Sequence, residues 1–485
     1  MRVEELAAEV EGARVVGDGS VGVVDLAYDS RKVGPGTLFF CFPGEKADGH
    51  DFAAGAVEAG AVALVVEREL DVGVPQVVVG DARAAMAPLA ARFFGDPTSE
   101  LRVVGVTGTN GKTTTAFLIR EILEGAGIST GLLGTVKQVV GGSEEAVERT
   151  TPEAIDLQRT FRRMLDRGDT ACAMEVSSHA MSLRRADAIH WEVALFTNLT
   201  QDHLDFHADM EDYFLAKRKL FEAGPGTAIV NVDDPYGRRL AEEFECVTFS
   251  ADGAEADYSA RDVSFDASGA RFTIVQGPMG REVEVRMGLP GHFNVANALG
   301  AFAAAEALGV GAEETAAGLA RAARVPGRFE PIDEGQGFSV LVDYAHTPDS
   351  LENVLRAARR FTEGRLIAVF GAGGDRDRDK RPKMGRAGAE LSDLAVVTSD
   401  NPRSEDPEAI VAEVVGGTSG GSGVEVEVDR RAAIALALAQ AEPGDTVVIA
   451  GKGHEQGQEF ERGRKVPFDD REIAREELRK LGSPA

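Results

Sequence analysis

The sequence predicts an α/β protein built on largely parallel sheets and divided into several domains. Three observations carry that expectation. Short apolar runs such as VALVV, LRVVGV, GTAIVNV, LIAVFG, LAVVTS and DTVVIAG recur along the chain, and most lead through glycine or polar turns into helical patterns. The 485 residues exceed one ordinary domain, and three is the natural division. Hydrophobic residues make up 43% of the chain, enough for a core in each. The turn-rich GDPTSEL at 95–101 places a first boundary and an N-terminal domain at 1–98. VPGRFE at 325–330 separates an alanine-rich helical region from the strand FSVLVDY, giving a central domain at 99–327 and a C-terminal domain at 328–485. The run GGTSGGSG at 416–423 is too short for a linker and reads as a surface turn after a helix. No fixed-period repeat is present.

Composition excludes several classes. A net charge of −28 argues against a nucleic-acid-binding surface or an anionic-membrane surface, and any phosphorylated ligand must find a local pocket of donors within an acidic field. No apolar run of about 18 residues suggests a membrane span. The opening MRVEELAAEVEG carries acidic residues and no signal-like apolar core. Cys41, Cys172 and Cys246 fit neither a disulfide framework nor a zinc motif, so a reducing, cytoplasmic setting is expected.

Between residues 101 and 120 the chain reads LRVVGVTGTNGKTTTAFLIR: apolar strand, glycine turn, amphipathic helix. Backbone N–H groups from Gly108 to Thr113 can wrap polyphosphate oxygens, Lys112 adds a point charge, and the Thr113 hydroxyl can ligate Mg²⁺. The spacing departs from G-x-x-x-x-G-K-[ST], since Val106 stands where the first glycine belongs and the loop glycines are Gly108 and Gly111. A tight turn that only imitates a phosphate loop is the alternative; ATP is the favoured ligand.

Downstream, AMEVSSH ends an apolar run, and Glu175 there suits Mg²⁺ coordination or a helix cap. TNLTQDHLDFH brings His203, Asp205 and His207 close in sequence, as a metal site or as the charged opening of a helix. Lys217, amid Lys217-Arg218-Lys219, reads as part of a solvated basic face. In the last domain three apolar strands end in GAGGDRD, SDNPR and GKGHE, loops that share one crevice if the sheet is open and parallel. A dinucleotide reading of GAGG fails because the third glycine position holds Arg376. Arg376 and Arg403 suit carboxylates and Asp400 and Glu455 suit ammonium groups, so the crevice matches an amino acid charged at both ends, or else an internal salt-bridge network. ATP in one domain and an amino-acid pocket in another points to ATP-driven ligation, with domain closure between them.

Over essentially its whole length the chain resembles the Mur ligases, on TGTNGKTT, EVSSH, NLTQDHLDFH, YAHTPDSL, GDRDRDKRPKMG and GKGHE in that order. Within the family, TGTNGKTT with EVSSH resembles the members that add the third residue of the peptidoglycan stem peptide, although DSR and PGTLFF…GEKADGHDF are shared with the branch that adds the terminal dipeptide. The resemblance implies a three-domain architecture with a central P-loop ATPase-like domain and a Rossmann-like C-terminal domain. It implies that Gly108, Thr109, Asn110, Gly111, Lys112, Thr113 and Thr114 bind ATP phosphates, and that Asn294, Asn297, Arg328 and Asp343 complete the ATP site. Tyr28, Ser30, Glu45, Lys46 and Ala47 would contact the uridine nucleotide of UDP-MurNAc-L-Ala-D-Glu. Thr150, Thr151, Ser177 and Arg185 would hold its dipeptide, and Leu183 replaces a glutamine of some relatives, removing one hydrogen bond. Thr113 and Glu175 would ligate Mg²⁺, with His203 and a carbamoylated Lys217 at a second ion. Asp400-Asn401-Pro402-Arg403, with Arg376, Gly451 and Glu455, resembles the pocket for meso-diaminopimelate; Arg403 would pair with the distal carboxylate that lysine lacks. The implied protein is a monomeric enzyme with Lys112, Glu175, His203 and Lys217 in its chemistry. The alternatives are lysine addition, a sister Mur or folylpolyglutamate ligase, a P-loop switch NTPase, and an inactive homologue.

Overall fold

The computed structural model describes all residues except 45–46, 148, 267, 278–279, 323, 419–422 and 483–485. The chain forms two compact units, one of Met1–Gly105, Ile128–Ala194 and Lys219–Gly226, the other of Val106–Gly127, Leu195–Arg218 and Thr227–Ala485.

The first unit holds a five-stranded sheet in the order Arg14–Val16, Gln76–Val78, Ala61–Val66, Thr37–Phe40, Asp25–Ala27. Its strands are parallel except the antiparallel edge Arg14–Val16. The helix Ala82–Phe93 starts where the Asp81 carboxylate accepts the Ala84 N–H, and it buries Ala82, Ala85, Met86 and Leu89, the spacing of one helical face. The core formed with Leu38, Phe40, Val65 and Val77 also includes Ala154 and Ile155, which open the helix Ala154–Asp166. In the same unit the buried strand Ala171–Glu175 lies parallel to Thr130–Leu133 and ends on Glu175.

In the second unit the helix Lys112–Gly125 packs against His292–Ala307 and Ala312–Arg321. A Cβ at Gly318 would lie 2.8 Å from the Ile122 Cα, so glycine there permits the close helix contact. Parallel pairing holds for Thr227–Asn231 with Cys246–Ser250, but Tyr258–Asp266, Gly269–Gln276 and Arg281–Met287 run as an antiparallel meander.

The C-terminal part of this unit is a six-stranded sheet ordered Glu330–Pro331, Ser339–Asp343, Thr446–Ala450, Leu366–Phe370, Leu394–Val397, Gly423–Val426. All pairs except the first are parallel. One face packs on the helices Pro348–Arg359, Lys380–Leu391 and Pro407–Val415, the other on Arg430–Gln440 and Asp470–Gly482. This is the doubly wound arrangement expected, and it brings the carboxyl ends of the strands to one edge. The turn expected at 416–423 follows the helix Pro407–Val415 at once; its residues 419–422 lie outside the described set. Among the described residues no helix is long and apolar enough to cross a membrane.

Arg430 and Asp470 form an ion pair with both side chains fully buried, and Arg430 also donates to the carbonyls of Ser399 and Ala450 at the strand ends. Removing one partner leaves an uncompensated buried charge. Asp470→Ala should cost about 3–5 kcal/mol in a denaturant titration; a loss below about 1 kcal/mol would mean that Arg430 reaches water.

Candidate active site

The strand Arg102–Thr107 feeds the phosphate-loop segment into the helix Lys112–Gly125. Gly108 has φ +145° and Gly111 φ +86°. A Cβ would come within 1.9 Å of Thr197 Oγ1 at the first and 2.3 Å of Asn297 Oδ1 at the second, so both loop glycines are required even though the spacing departs from the usual motif. The helix has no side-chain cap. Its first-turn amides have no carbonyl within the helix to donate to, an arrangement that suits an anion. Lys112 Nζ curls back onto the loop, donating to the carbonyls of Gly108 (2.9 Å) and Thr109 (2.7 Å). Arg328 Nη2 donates to Thr113 Oγ1 at 3.0 Å, and its guanidinium lies 4.3 Å from the Tyr344 ring centroid. Thr114 is buried in the same turn.

Around the loop, buried Asn297 donates to Asn294 Oδ1 at 3.1 Å and accepts from Thr115 Oγ1 at 3.4 Å. Asn110 donates to Asp349 Oδ2 at 2.9 Å. Buried Asp343 accepts the N–H groups of Phe329 and Ala345, each at 2.7 Å; burial pushes its carboxyl above the ordinary range, against the pull of Arg328.

Lys217 overturns the reading of a solvated basic face. It lies in the helix Met210–Glu222 with 1% of its surface exposed, because Tyr213, Phe214, Lys217, Leu220 and Phe221 share the buried face. Its Nζ donates to the Gly108 carbonyl at 2.7 Å and sits 4.5 Å from the Tyr213 ring centroid. Burial and then the nearby Lys112 charge drive its amine well below the ordinary lysine range, with Asp202 opposing.

His203, Asp205 and His207 do not converge on one metal. His203, at φ +56°, faces Asp202 Oδ2 at 3.3 Å; Asp205 pairs with Arg376 at 3.2 Å; buried His207 faces Asp212 Oδ2 at 3.2 Å. Among the described residues no group of three or more His, Cys, Asp or Glu is arranged to hold a metal ion. The centre of this loop is Asp202, which sequence reasoning missed. His346 Nε2 and Lys380 Nζ each approach its carboxylate at 3.8 Å. Although burial opposes it, His346, His203 and Lys380 hold the Asp202 carboxyl well below the usual range.

At the sheet's carboxyl edge the loops expected to share a crevice do meet. A Cβ on Gly373 would lie 3.0 Å from Arg403 Nη1 and 4.0 Å from Arg376 Cγ, so the two arginines flank one glycine. Arg403, at φ +51°, donates through Nη1 to the Gly374 carbonyl at 2.7 Å. The Pro402 carbonyl accepts the Glu405 N–H at 3.0 Å. Part of the crevice is an internal ion network. Asp400 is buried 3.6 Å from the buried Lys452. Burial opposes its ionisation, yet Lys452 and Arg430 hold its carboxyl low. Lys452 also donates to Asn401 Oδ1 (2.8 Å) and Glu455 Oε2 (3.0 Å), while Asn401 Nδ2 donates to Glu455 Oε2 (2.9 Å). Gly451, at φ +128°, lets Asp400 approach: a Cβ there would lie 2.7 Å from Asp400 Oδ2. Lys452 carries no exceptional spacing, and only the fold reveals it.

In the first unit, Thr135 gives both its N–H (2.7 Å) and its hydroxyl (3.0 Å) to the Glu175 carboxylate and lies 3.0 Å from the Thr150 hydroxyl. Thr151 donates to the Glu175 carbonyl at 2.9 Å and accepts the Ser177 N–H at 3.1 Å. Ser177 caps the helix Ser178–Ser182. Thr150, Thr151, Glu175 and Ser177 thus form one network. Arg185 adjoins it, 3.5 Å from the Thr151 carbonyl. Arg185 is bound to Glu153 at 2.9 Å, and Arg149 (2.8 Å) and Arg83 (3.4 Å) bind the same carboxylate. Nothing in the sequence marks Glu153 as the hub of three arginines. Tyr28 donates to Asp156 Oδ2 at 2.6 Å; Ser30 opens the turn Ser30–Lys32; the Ala47 carbonyl accepts the Gly44 N–H. Glu45 and Lys46 lie outside the described residues.

The profile of the Mur ligase middle domain matches residues 106–305, that of the Mur ligase glutamate ligase domain 327–453, and that of the Mur ligase family catalytic domain 23–94. The UDP-N-acetylmuramoyl-L-alanyl-D-glutamate–2,6-diaminopimelate ligase of Streptomyces coelicolor is 49% identical, over 96% of this chain and 94% of that protein. The chain belongs to the Mur ligase family. Its relative of the same name in Geobacillus thermodenitrificans is 46% identical over 98% of this chain and 99% of the other. A solved structure of a ligase with that name, 33% identical, superposes with a TM-score of 0.70 over the full length of both chains. A Thermotoga maritima MurF ligase in complex with ADP, at 20% identity and a TM-score of 0.65, shares the Mur ligase fold over 95% of this chain.

Proposed function

We propose that this Mur ligase joins meso-2,6-diaminopimelate to UDP-MurNAc-L-Ala-D-Glu at the expense of ATP, within peptidoglycan synthesis. The observation that carries the reading is the pair Arg376 and Arg403 flanking Gly373 at the sheet's carboxyl edge, in the compact unit that also holds the uncapped phosphate-loop helix. The Arg403 guanidinium there suits a substrate carboxylate, and Arg376, whose guanidinium pairs with Asp205, is the proposed second cation for a substrate with more than one carboxylate. The proposed division of labour is residues 1–98 for the uridine nucleotide, 99–327 for ATP and 328–485 for the amino acid.

The chemistry follows from the substrates. A carboxylate is a poor electrophile, so the γ-phosphoryl of ATP passes to a side-chain carboxylate oxygen of the D-glutamate, giving an acyl phosphate and ADP. An amine of diaminopimelate attacks that carbonyl and loses a proton, and the tetrahedral intermediate collapses to the amide and inorganic phosphate. Lys112 and the first-turn amides of its helix neutralise charge on the transferring group. Arg328, its guanidinium over the Tyr344 ring, holds Thr113 through a hydrogen bond to its hydroxyl.

The donor set suits Mg²⁺, a hard cation that prefers oxygen. Thr113 Oγ1 is a proposed ligand, and Glu175, its carboxylate ordered by Thr135, is another; a bound ion would supply charge neutralisation to the phosphates. His203 and Lys217 are proposed for a second ion, with Lys217 as its carbamate. Only a neutral amine adds CO₂, and burial keeps Lys217 toward that form. Lys217→Ala should lose at least about a hundredfold in turnover, and acetate should restore part of it. Full activity in the variant without acetate would remove Lys217 from the mechanism.

Glu153 neutralises Arg185, the arginine proposed for the dipeptide. Glu153→Ala should raise KM for the nucleotide substrate about tenfold with kcat little changed, the signature of lost uniform binding. An unchanged KM would detach the three-arginine hub from substrate binding. The functional reading as a whole is tested by mass spectrometry of the nucleotide product. It predicts a gain of one diaminopimelate residue, with one ADP formed per product; ATP hydrolysis with no such product would contradict it.

A further inference from the structure

We propose that Asp205 is a positioning residue for the amino-acid pocket. Its carboxylate holds the Arg376 guanidinium where a carboxylate of the incoming amino acid binds. The inference rests on the proposed ligation of diaminopimelate and deepens it.

The two arginines flanking Gly373 are held differently. Arg403 is fixed from within the C-terminal segment. Its N–H donates to the Glu459 carbonyl at 3.0 Å, its Nη1 to the Gly374 carbonyl at 2.7 Å, and its Nε lies 3.3 Å from Glu459 Oε2. For Arg376 the same segment fixes the backbone. The preceding residue, Asp375 at φ +52°, gives its N–H to Glu405 Oε1 at 2.6 Å and accepts the N–H (3.1 Å) and the hydroxyl (2.6 Å) of Ser404. The Arg376 guanidinium reaches the other way, to Asp205 Oδ2 at 3.2 Å, the one ion pair it makes among the described residues.

The pair has neighbours of the same kind. Gln201 Nε2 donates to Asp377 Oδ2 at 2.9 Å, and buried Lys380 approaches Asp202 at 3.8 Å, so the loop carrying Arg376 is docked along residues 201–205. Of these contacts, the one from Asp205 reaches a residue of the proposed pocket. Arg376 is 44% exposed, and a long side chain in that setting gives up rotamer freedom when it binds a ligand. An ion pair that already orients the guanidinium lowers that cost. The pair uses Nη1, and a guanidinium carries five N–H donors, so Arg376 can meet Asp205 and a substrate carboxylate together. A partly exposed pair adds little to stability. Its removal should therefore be felt in amino-acid binding rather than in folding.

Steady-state ligation by the full-length protein is compared with Asp205→Asn, Arg376→Ala and the double variant, varying meso-diaminopimelate and ATP in turn. Asp205→Asn should raise KM for diaminopimelate about fivefold and leave kcat and KM for ATP within about twofold. Its thermal midpoint should match the parent's. In the Arg376→Ala background the same substitution should change KM for diaminopimelate by less than about twofold, because Asp205 acts through that arginine. Additive losses would place the effect of Asp205 elsewhere and overturn the assignment. An unchanged KM for diaminopimelate would overturn it too, and a lowered one would show Asp205 competing with substrate for Arg376. Equal increases for diaminopimelate and ATP would mark a general disturbance of residues 201–207 and likewise overturn it. Failure of the parent protein to ligate diaminopimelate at all would instead overturn the ligase reading, and this assignment with it.

Discussion

Replacing Lys112 by alanine should abolish ligation, with kcat/KM falling at least about a thousandfold, roughly 4 kcal/mol of transition-state stabilisation. The effect should be large because the amine sits over the loop itself, donating to the carbonyls of Gly108 and Thr109, where the transferring phosphoryl group's charge must be met. It should be local as well. The helix behind Lys112 is held by packing against two further helices, which the substitution leaves untouched. Circular dichroism should therefore be unchanged while product formation disappears. Near-normal ligation by Lys112→Ala would show that this loop is a structural turn and that the nucleotide binds elsewhere.

Arg403→Ala should change which amino acid is used. Losing the partner of a desolvated carboxylate costs on the order of 2–5 kcal/mol, so kcat/KM for diaminopimelate should fall about a hundredfold or more. Lysine has no distal carboxylate to lose, and its weaker turnover should be nearly unchanged. The preference should therefore collapse or invert. Arg403→Lys should recover little, because an ammonium cannot reproduce the planar guanidinium fork that also engages Gly374 and Glu459. A uniform loss with both amino acids would assign Arg403 to loop structure alone.

The strands of the C-terminal sheet were legible as LIAVFG, LAVVTS and DTVVIAG because a parallel sheet covered on both faces demands continuous apolar runs. Their loops follow from topology, so the meeting of Arg376, Arg403 and the SDNPR and GKGHE segments was legible too. The parallel rhythm does not extend to residues 258–287. There the buried positions Val283, Val285 and Met287 alternate with exposed ones, the mark of an antiparallel strand with one wet face.

Lys217 shows the limit of reading charge by neighbours. Three adjacent basic residues look like a solvated face, yet Tyr213, Phe214, Leu220 and Phe221 stand at helical spacing around Lys217 and put it inside. That stripe was available in the sequence; the lysine's chemistry obscured it. Other features had no local signal. Asp202 acquires His346 and Lys380, and Glu153 acquires Arg83 and Arg185, from segments distant in sequence. The buried charges of Asp400 and Lys452 likewise become a pair only once the sheet brings the ends of two strands, with Leu366–Phe370 between them, to one edge.

The most direct test is phosphate release from ATP by the purified protein with UDP-MurNAc-L-Ala-D-Glu, comparing meso-diaminopimelate with L-lysine side by side. Release that depends on diaminopimelate and yields the tripeptide nucleotide, with lysine used far less well, is the predicted result. Preference for lysine would contradict the pocket built on Arg403, and release indifferent to either amino acid would contradict the ligase itself.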